Sequence, residues 1–252
     1  MPNTDEGPAG DAPPTAGPPF ADAIVLAAGA SERMAGPDKL MLEVAGLPLL
    51  AWTVRAAAAA HSVRRVLVVA RPDRVAALSR ASYLREVGAT VVPGGRRRQD
   101  SVAAGVRAAD GEVVLIHDGA RPLVTSDLMD RVAAAAREHG AAAPIVAVPE
   151  SMRRLVDGKV VAVIDRHGLF RSQTPHGARR TVLLDVYSRQ DPHGPHTFVD
   201  ETTLMQSAGI TVWTVPGEPA NLKVTLPGDE QLAMALLQAR IVSGAASGID
   251  PA

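Results

Sequence analysis

The 252-residue chain contains no cysteine, which excludes a disulfide framework, a zinc–thiolate site, an iron–sulfur cluster and a cysteine nucleophile. Aromatic residues are scarce, at 3%. No uninterrupted apolar run approaches the roughly 18 to 20 residues that span a bilayer. Neither sign of charge prevails: 26 Lys and Arg against 27 Asp and Glu give a formal net charge of −1, so nothing general draws the chain to nucleic acid or to an anionic membrane. Disorder along the whole chain is excluded by a hydrophobic content of 46%, and the length suits one α/β domain or two small ones. What is left is a soluble, cytoplasmic protein with a small-molecule partner.

Residues 1–20, MPNTDEGPAGDAPPTAGPPF, are Pro, Gly, Ala and acid without an apolar block or a basic lead-in. They read as a flexible tail and not as a secretory signal. Residues 243–252 read as a second tail, leaving 21–242 as a single domain. Within it, continuous apolar runs alternate with helical patterns. Ala23–Ala28, Val66–Ala70, Thr90–Val92, Val113–His117, Ala143–Val148 and Ile210–Val215 are expected strands. Leu49–His61, Ser101–Ala109, a helix starting behind Thr125-Ser126-Asp127, and Asp229–Val242 are expected helices. This alternation predicts a Rossmann-like, doubly wound, mostly parallel sheet. Between 149 and 175 the rhythm breaks: Arg153–Val156 and Val160–Ile164 flank Asp157-Gly158, a strong hairpin signal, so a protruding β-hairpin arm is expected.

In open α/β sheets ligands sit beyond the carboxyl ends of the strands, so the loops that follow the strands carry the chemistry. The first, Ala27-Ala28-Gly29-Ala30-Ser31-Glu32-Arg33-Met34 with Lys39 beyond it, offers small residues for close backbone approach and two cations for one anion. It is neither a dinucleotide fingerprint nor a Walker A loop, and on its own it could equally be a turn with two solvated basic side chains. Gly94-Gly95-Arg96-Arg97-Arg98-Gln99-Asp100-Ser101 feeds a helix start, either an anion site or a solvated basic run before a capped helix. His117-Asp118-Gly119-Ala120-Arg121-Pro122 ends a strand with a carboxylate suited to Mg²⁺ or a ribose, or else to a buried Asp–Arg pair. Ile164-Asp165-Arg166, Gln173-Thr174-Pro175 and Asn221-Leu222-Lys223-Val224-Thr225 complete the set. His193 and His196 read as loop residues, and no Ser–His–Asp order or HExxH run is present.

Taken in register, LAAGASERM with Lys39, GGRRRQDSV, HDGARP, PESMRR, Asp165-Arg166, the Gln173–Pro175 triplet, Asp200-Glu201 and NLKVT resemble the nucleotidyltransferases of the glycosyltransferase-A-like fold, specifically the 2-C-methyl-D-erythritol 4-phosphate cytidylyltransferase family. The resemblance spans about Ala23 to Gln238. It implies attack by a polyol phosphate on the α-phosphate of CTP, with loss of pyrophosphate, in the non-mevalonate isoprenoid precursor pathway. Ribitol 5-phosphate as acceptor is the alternative, since both reactions share the CTP half.

By the same resemblance, Arg33 and Lys39 would stabilise charge on the α-phosphate. Arg166 and Lys223 would hold the acceptor phosphate, with Ser151, Arg121 and Thr225 beside them. Ala27, Ala28, Gly29, Ala30, Gly95, Asp100 and Ser101 would bind the cytosine and ribose, and Asp118 would face Mg²⁺. The resemblance further implies a homodimer in which the arm carries Ser151 and Arg166 to the partner's site. The chain departs from the family pattern at Asp38, Leu40, Gly119, Ser151 and His176.

Overall fold

The computed structural model describes residues 17–29 and 38–243. Residues 1–16 and 244–252, where most of both expected tails fall, lie outside the described residues, as does 30–37 of the first loop. In chain order the elements are β1 (Ala21–Ala27), a 3-10 turn at Lys39–Met41, β2 (Glu43–Val44), β3 (Leu47–Pro48), α1 (Leu49–Ala58) and β4 (Val63–Ala70). Then come the one-turn helices α2 (Val75–Leu78) and α3 (Ser82–Arg85), β5 (Thr90–Pro93), α4 (Arg98–Ala108), β6 (Val113–Asp118), α5 (Ser126–His139) and β7 (Ala141–Ala147). The last part holds β8 (Met152–Val156), β9 (Lys159–Ile164), β10 (Phe170–Ser172), β11 (His176–Arg179), α6 (Arg180–Arg189), α7 (Glu201–Ser207), β12 (Trp213–Pro216) and α8 (Asp229–Val242).

The main sheet runs β10-β7-β11-β6-β1-β4-β5, with β12 also paired to β7. The β1–β4, β1–β6, β4–β5 and β7–β12 pairings are parallel. β11 runs antiparallel between β6 and β7. The central strands are apolar on both sides because helices cover both faces. Val25, Val68 and Leu115 pack with Leu50 and Val54 of α1 and with Met129 and Val132 of α5 on one face. Ile24, Leu67, Val69 and Ile116 pack with Val102 and Val106 of α4, Leu183 of α6 and Met205 of α7 on the other. The fold is thus the α/β, doubly wound, mostly parallel class expected from the alternation. A third cluster docks α8 through Ala233 and Leu237 against Val44, Trp52, Leu123 and Val224, which ties the end of the chain to the loops around the sheet's carboxyl edge.

The differences from the sequence reading have local causes. Helix α1 stops at Ala58 and not at His61, because the Asp130 carboxylate takes the backbone N–H groups of His61 (3.1 Å) and Ser62 (2.7 Å). Helix α4 begins at Arg98, three residues early, because Asp100 accepts the Arg97 N–H at 3.0 Å and closes the first turn. The last strand starts at Trp213 and not at Ile210. β11 carries a Gly in four residues and gives no alternation to read. The hairpin of β8 and β9 forms as expected, with Asp157 (φ 47°) and Gly158 (φ 75°) both left-handed as a type I′ turn requires. It pairs with nothing else, whereas β10 returns to the main sheet.

Gly105 sits where α4 crosses β1 and β4; a Cβ there would lie 2.5 Å from Ile24 Cγ2 and 3.0 Å from Val69 Cγ2. Gly105→Val is therefore expected to cost about 1 to 3 kcal/mol through overpacking. The urea midpoint checks this, and an unchanged midpoint would refute the close approach of helix and sheet.

Candidate active site

A cavity of about 500 Å³ opens at the carboxyl ends of β1, β5 and β6. Its walls include Ala28 and Gly29 after β1, Gly95 to Arg98 and Ser101 around the start of α4, Asp118 to Ala120 at the end of β6, and Lys39, Leu40 and Lys223. Asp118 is the one acid among these lining residues.

Asp118 is the last residue of a fully buried strand, and four cationic nitrogens surround it. Lys223 Nζ lies 2.8 Å from Oδ2 and Arg121 Nε 3.8 Å from the same oxygen. Arg98 Nη2 and Nε approach Oδ1 at 3.2 and 3.4 Å. Burial works to raise the carboxyl's pKa, but Arg98, Lys223 and Arg121 overcome it and hold the group below the ordinary carboxylate range. Asp118 is ionised at neutral pH.

Behind it, the neighbouring polar groups are satisfied in sequence. The Asp118 N–H donates to Thr174 Oγ1 at 3.1 Å, which leaves the Thr174 hydroxyl proton for His117 Nδ1 at 3.0 Å. His117 Nε2 then donates to the Arg121 carbonyl at 3.3 Å. Burial pushes the His117 pKa down to about 3, so the neutral ring this chain requires is the stable one.

The late segment is laced to the same region. Asn221 Nδ2 donates to Thr174 O (2.8 Å), Arg121 Nη1 to Asn221 O (2.8 Å), and the Val224 N–H to Ala120 O (2.8 Å). Lys39 Nζ donates to Val224 O at 2.8 Å. Two lysines far apart in sequence thus meet at one cavity because NLKVT, which carries Lys223, also offers its Val224 carbonyl to Lys39. The 3-10 turn that presents Lys39 is capped by Asp38, which accepts the Leu40 N–H at 3.1 Å; the inserted acid therefore has a local role.

Of the residues expected at the site, the fold brings together Ala28, Gly29, Lys39, Gly95, Ser101, Asp118 and Lys223. Ser101 Oγ accepts the Gly95 N–H at 3.1 Å, fixing the Gly pair over the helix start. Ala27 is buried at the end of β1. Arg121 is half-buried beside Asp118, and Thr225 lies past Lys223 with its N–H on Asp229 Oδ2 at 2.8 Å. Asp100 does not line the cavity. Its carboxylate is tied to the Arg97 guanidinium at 2.7 Å and lies 3.2 Å from His193 Nδ1, and Arg97 foremost holds its pKa down to about 2. Ser151 and Arg166 are exposed on the hairpin segment and do not line the cavity either; Arg166 Nη1 donates to the Pro149 carbonyl. Ala30 and Arg33 lie outside the described residues.

Arg98 is the residue to which the sequence reading gives no role. It reaches Asp118 on one side and Glu201 on the other, with Nη1 2.6 Å from Glu201 Oε1. Its only sequence signal is its place as the last of three arginines at a helix start.

No group of three or more His, Asp or Glu side chains is gathered as a metal cage among the described residues. One ionised carboxylate facing a cavity large enough for a nucleotide does fit a hard cation such as Mg²⁺, which typically takes one or two carboxylates and completes its shell with phosphate oxygens and water. No helix among the described residues is long and apolar enough to cross a membrane.

The family model described as 2-C-methyl-D-erythritol 4-phosphate cytidylyltransferase matches residues 21–239. A protein of that name from Bacillus licheniformis is 33% identical over 222 residues, covering 86% of this chain and 96% of its own length. One from Cereibacter sphaeroides is 41% identical over 219 residues, with coverages of 85% and 96%. The crystal structure of the Thermus thermophilus protein of the same name superposes with a TM-score of 0.70 at 33% identity, covering 85% of this chain and 98% of that one.

A carboxyl held below its ordinary pKa by folding stabilises the fold above that ordinary value, near 4 for Asp, and loses the contribution as pH falls toward the folded value. Asp118→Asn is therefore expected to be less stable than the parent at pH 7, with the gap narrowing as pH falls below about 4. Urea midpoints across that range check it; parallel curves would remove Asp118 from the acid response.

Proposed function

This chain belongs to the 2-C-methyl-D-erythritol 4-phosphate cytidylyltransferase family, and from that premise we propose how its residues transfer the CMP moiety of CTP to 2-C-methyl-D-erythritol 4-phosphate. The acceptor phosphate oxygen forms a bond to the α-phosphorus of CTP as the bond to the β-phosphate oxygen breaks. The products are 4-diphosphocytidyl-2-C-methyl-D-erythritol and pyrophosphate, and the electron pair leaves with pyrophosphate. The observation that carries this reading is a cavity with Lys39, Lys223 and Asp118 in its walls and a small-residue backbone between them.

Such a reaction needs no enzyme nucleophile, because the attacking phosphate is already anionic; positioning and charge stabilisation do the catalysis. Lys39, together with Arg33 six residues before it in the sequence, acts on the charge that builds on the α-phosphate. Lys223, in the same cavity wall, meets the acceptor phosphate. The Ala27–Ala30 backbone and the Gly95–Ser101 turn receive the nucleoside, with Asp100 holding that turn through Arg97. Asp118 would hold Mg²⁺ together with the triphosphate, and the bound ion supplies charge neutralisation at the phosphate oxygens.

The remaining acceptor contacts come from the hairpin. Met152, Leu155, Val156, Val160, Val161 and Val163 are all exposed there, Val163 at 70%. A two-stranded hairpin with an apolar surface and no layer behind it is marginal alone. A second copy of the chain covers it in a homodimer and receives Ser151 and Arg166 at its own cavity, with Arg121 and Thr225 backing the acceptor side. The cytoplasm, where CTP is made and used, is the compartment.

The first test is Mg²⁺-dependent release of pyrophosphate from CTP with methylerythritol 4-phosphate and ribitol 5-phosphate in parallel; release with the former alone is expected, and preference for the latter would reassign the acceptor. Lys39→Ala is expected to lower kcat by about 100-fold or more, the usual cost of losing a transition-state charge partner, with little change in CTP affinity. A near-parental kcat would remove Lys39 from that role. The shared-site arrangement has its own readout. Lys39→Ala and Arg166→Ala chains, each inactive alone, should regain about a quarter of parental activity when mixed as dimers, since half of the dimers then hold one intact site. No recovery on mixing would place Arg166 at its own chain's cavity or outside the site.

A further inference from the structure

Behind Arg98 lies a buried acid that the reaction does not touch. Glu201 opens α7, whose first turn Asp200 caps by accepting the Thr203 N–H at 2.9 Å. Its side chain is buried, and its two oxygens are spoken for by different groups: Oε1 by Arg98 Nη1 at 2.6 Å and Oε2 by His176 Nδ1 at 3.1 Å. His176 is also buried and stands on the antiparallel strand β11, paired in register with Ile116 of β6. Burial works to raise the Glu201 pKa, but Arg98 and His176 outweigh it, so the carboxylate is ionised and can only accept. His176 must therefore carry its proton on Nδ1.

An arginine with one carboxylate at hand can pivot about it; an arginine fixed by two carboxylates on different edges cannot. Glu201 holds Nη1 of Arg98, which leaves Nη2 and Nε for Asp118 Oδ1. His176 in turn fixes the rotation of the Glu201 carboxylate. We propose that Glu201 and His176 are positioning residues for the nucleotide site: through Arg98 they set the orientation of the Asp118 carboxylate, the one acid in the cavity wall among the described residues. The chain His176–Glu201–Arg98–Asp118 draws on β11, α7, α4 and β6, so it also braces the strand end where the antiparallel strand enters the sheet.

The inference rests on the cytidylyltransferase reading for its link to catalysis, but its structural content can be tested without the acceptor. Binding of Mg²⁺–CTP to the full-length protein is measured by titration calorimetry for the parent, Glu201→Gln, His176→Leu and His176→Gln, alongside kcat, the KM for methylerythritol 4-phosphate, and melting temperature. Glu201→Gln and His176→Leu are expected to weaken Mg²⁺–CTP binding or lower kcat by about 10- to 100-fold, the usual cost of removing a group that orients a ligating carboxylate. KM for the acceptor should move much less. Glutamine can donate one N–H to Glu201 as the imidazole does, so His176→Gln should recover most of what His176→Leu loses.

Lower melting temperatures with unchanged Mg²⁺–CTP binding and kcat would overturn the proposal and leave the pair a stabilising one. So would His176→Gln behaving like His176→Leu. A parent that fails to use methylerythritol 4-phosphate while the titrations still separate the variants would sink the reaction assignment and leave the positioning role standing. A parent that binds no Mg²⁺–CTP would overturn both.

Discussion

A carboxylate at the end of a strand buried on both faces cannot stay charged unless the fold returns what desolvation takes away. That penalty is several kcal/mol per ion, while one cation at about 4 Å returns about 4 kcal/mol at an effective dielectric near 20. A single partner would roughly break even, and Asp118 has three: Arg98 from the start of α4, Arg121 from the loop after β6, and Lys223 from the NLKVT segment. Most of the site's architecture follows from that requirement. The helix must start where Arg98 can turn inward, and the late segment must cross back over β6. The Asn221, Thr174 and Val224 hydrogen bonds hold it there.

The sequence reading recovered the parts of this arrangement written in local pattern. The apolar runs of β1, β4 and β6, the Thr125 cap of α5 and the Asp-Gly turn of the hairpin are each determined by a few neighbouring residues, and they were legible for that reason. The doubly wound class followed from their alternation. The antiparallel insertion of β11 was not legible, because four residues, His-Gly-Ala-Arg, carry no periodicity and their place is decided by β6 and β7 on either side. The same limit applied to Arg98. Three adjacent arginines look alike in sequence, yet Arg97 bonds to its own helix turn and to the Pro192 and Gly194 carbonyls, while Arg98 points to Asp118 and Glu201. Asp100 was assigned to the nucleoside by its motif, and the fold gives its carboxylate to Arg97.

The three-arginine run bears on two readings that the residues alone left open. One was a solvated basic run before a capped helix, and Arg97 with Asp100 is such a cap in part. The other was a ligand loop, and Gly95, Arg96 and Ser101 lining the cavity have that form. The cap and the cavity lining coexist because the first turn of a helix presents successive side chains to different sides, about 100° apart. For HDGARP, too, one residue combines the Asp–Arg pair and the cavity-facing carboxylate: Asp118 turns one oxygen toward Arg121 and Lys223 and the other toward Arg98 while still bordering the cavity.

That double duty bears on how a transferase without a nucleophile gains rate. Nothing in the reaction asks the protein to make or break a bond of its own, so what it can alter is the placement of the reacting phosphates and the charge that they meet. Cations left loose at a cavity mouth would spend the nucleotide's binding energy on being ordered. Here Lys39 is anchored on the Val224 carbonyl and Lys223 on Asp118. Both amines are thus held at the cavity by bonds weaker than those a triphosphate offers, since a carbonyl carries only a partial charge and a carboxylate a single one. The ordering cost is met in folding, by β6 and the NLKVT crossing, before any substrate arrives. The same logic explains why the acid that sets the Asp118 orientation, Glu201, is buried deeper than the acid that faces the cavity: a support must not exchange partners when the cavity fills.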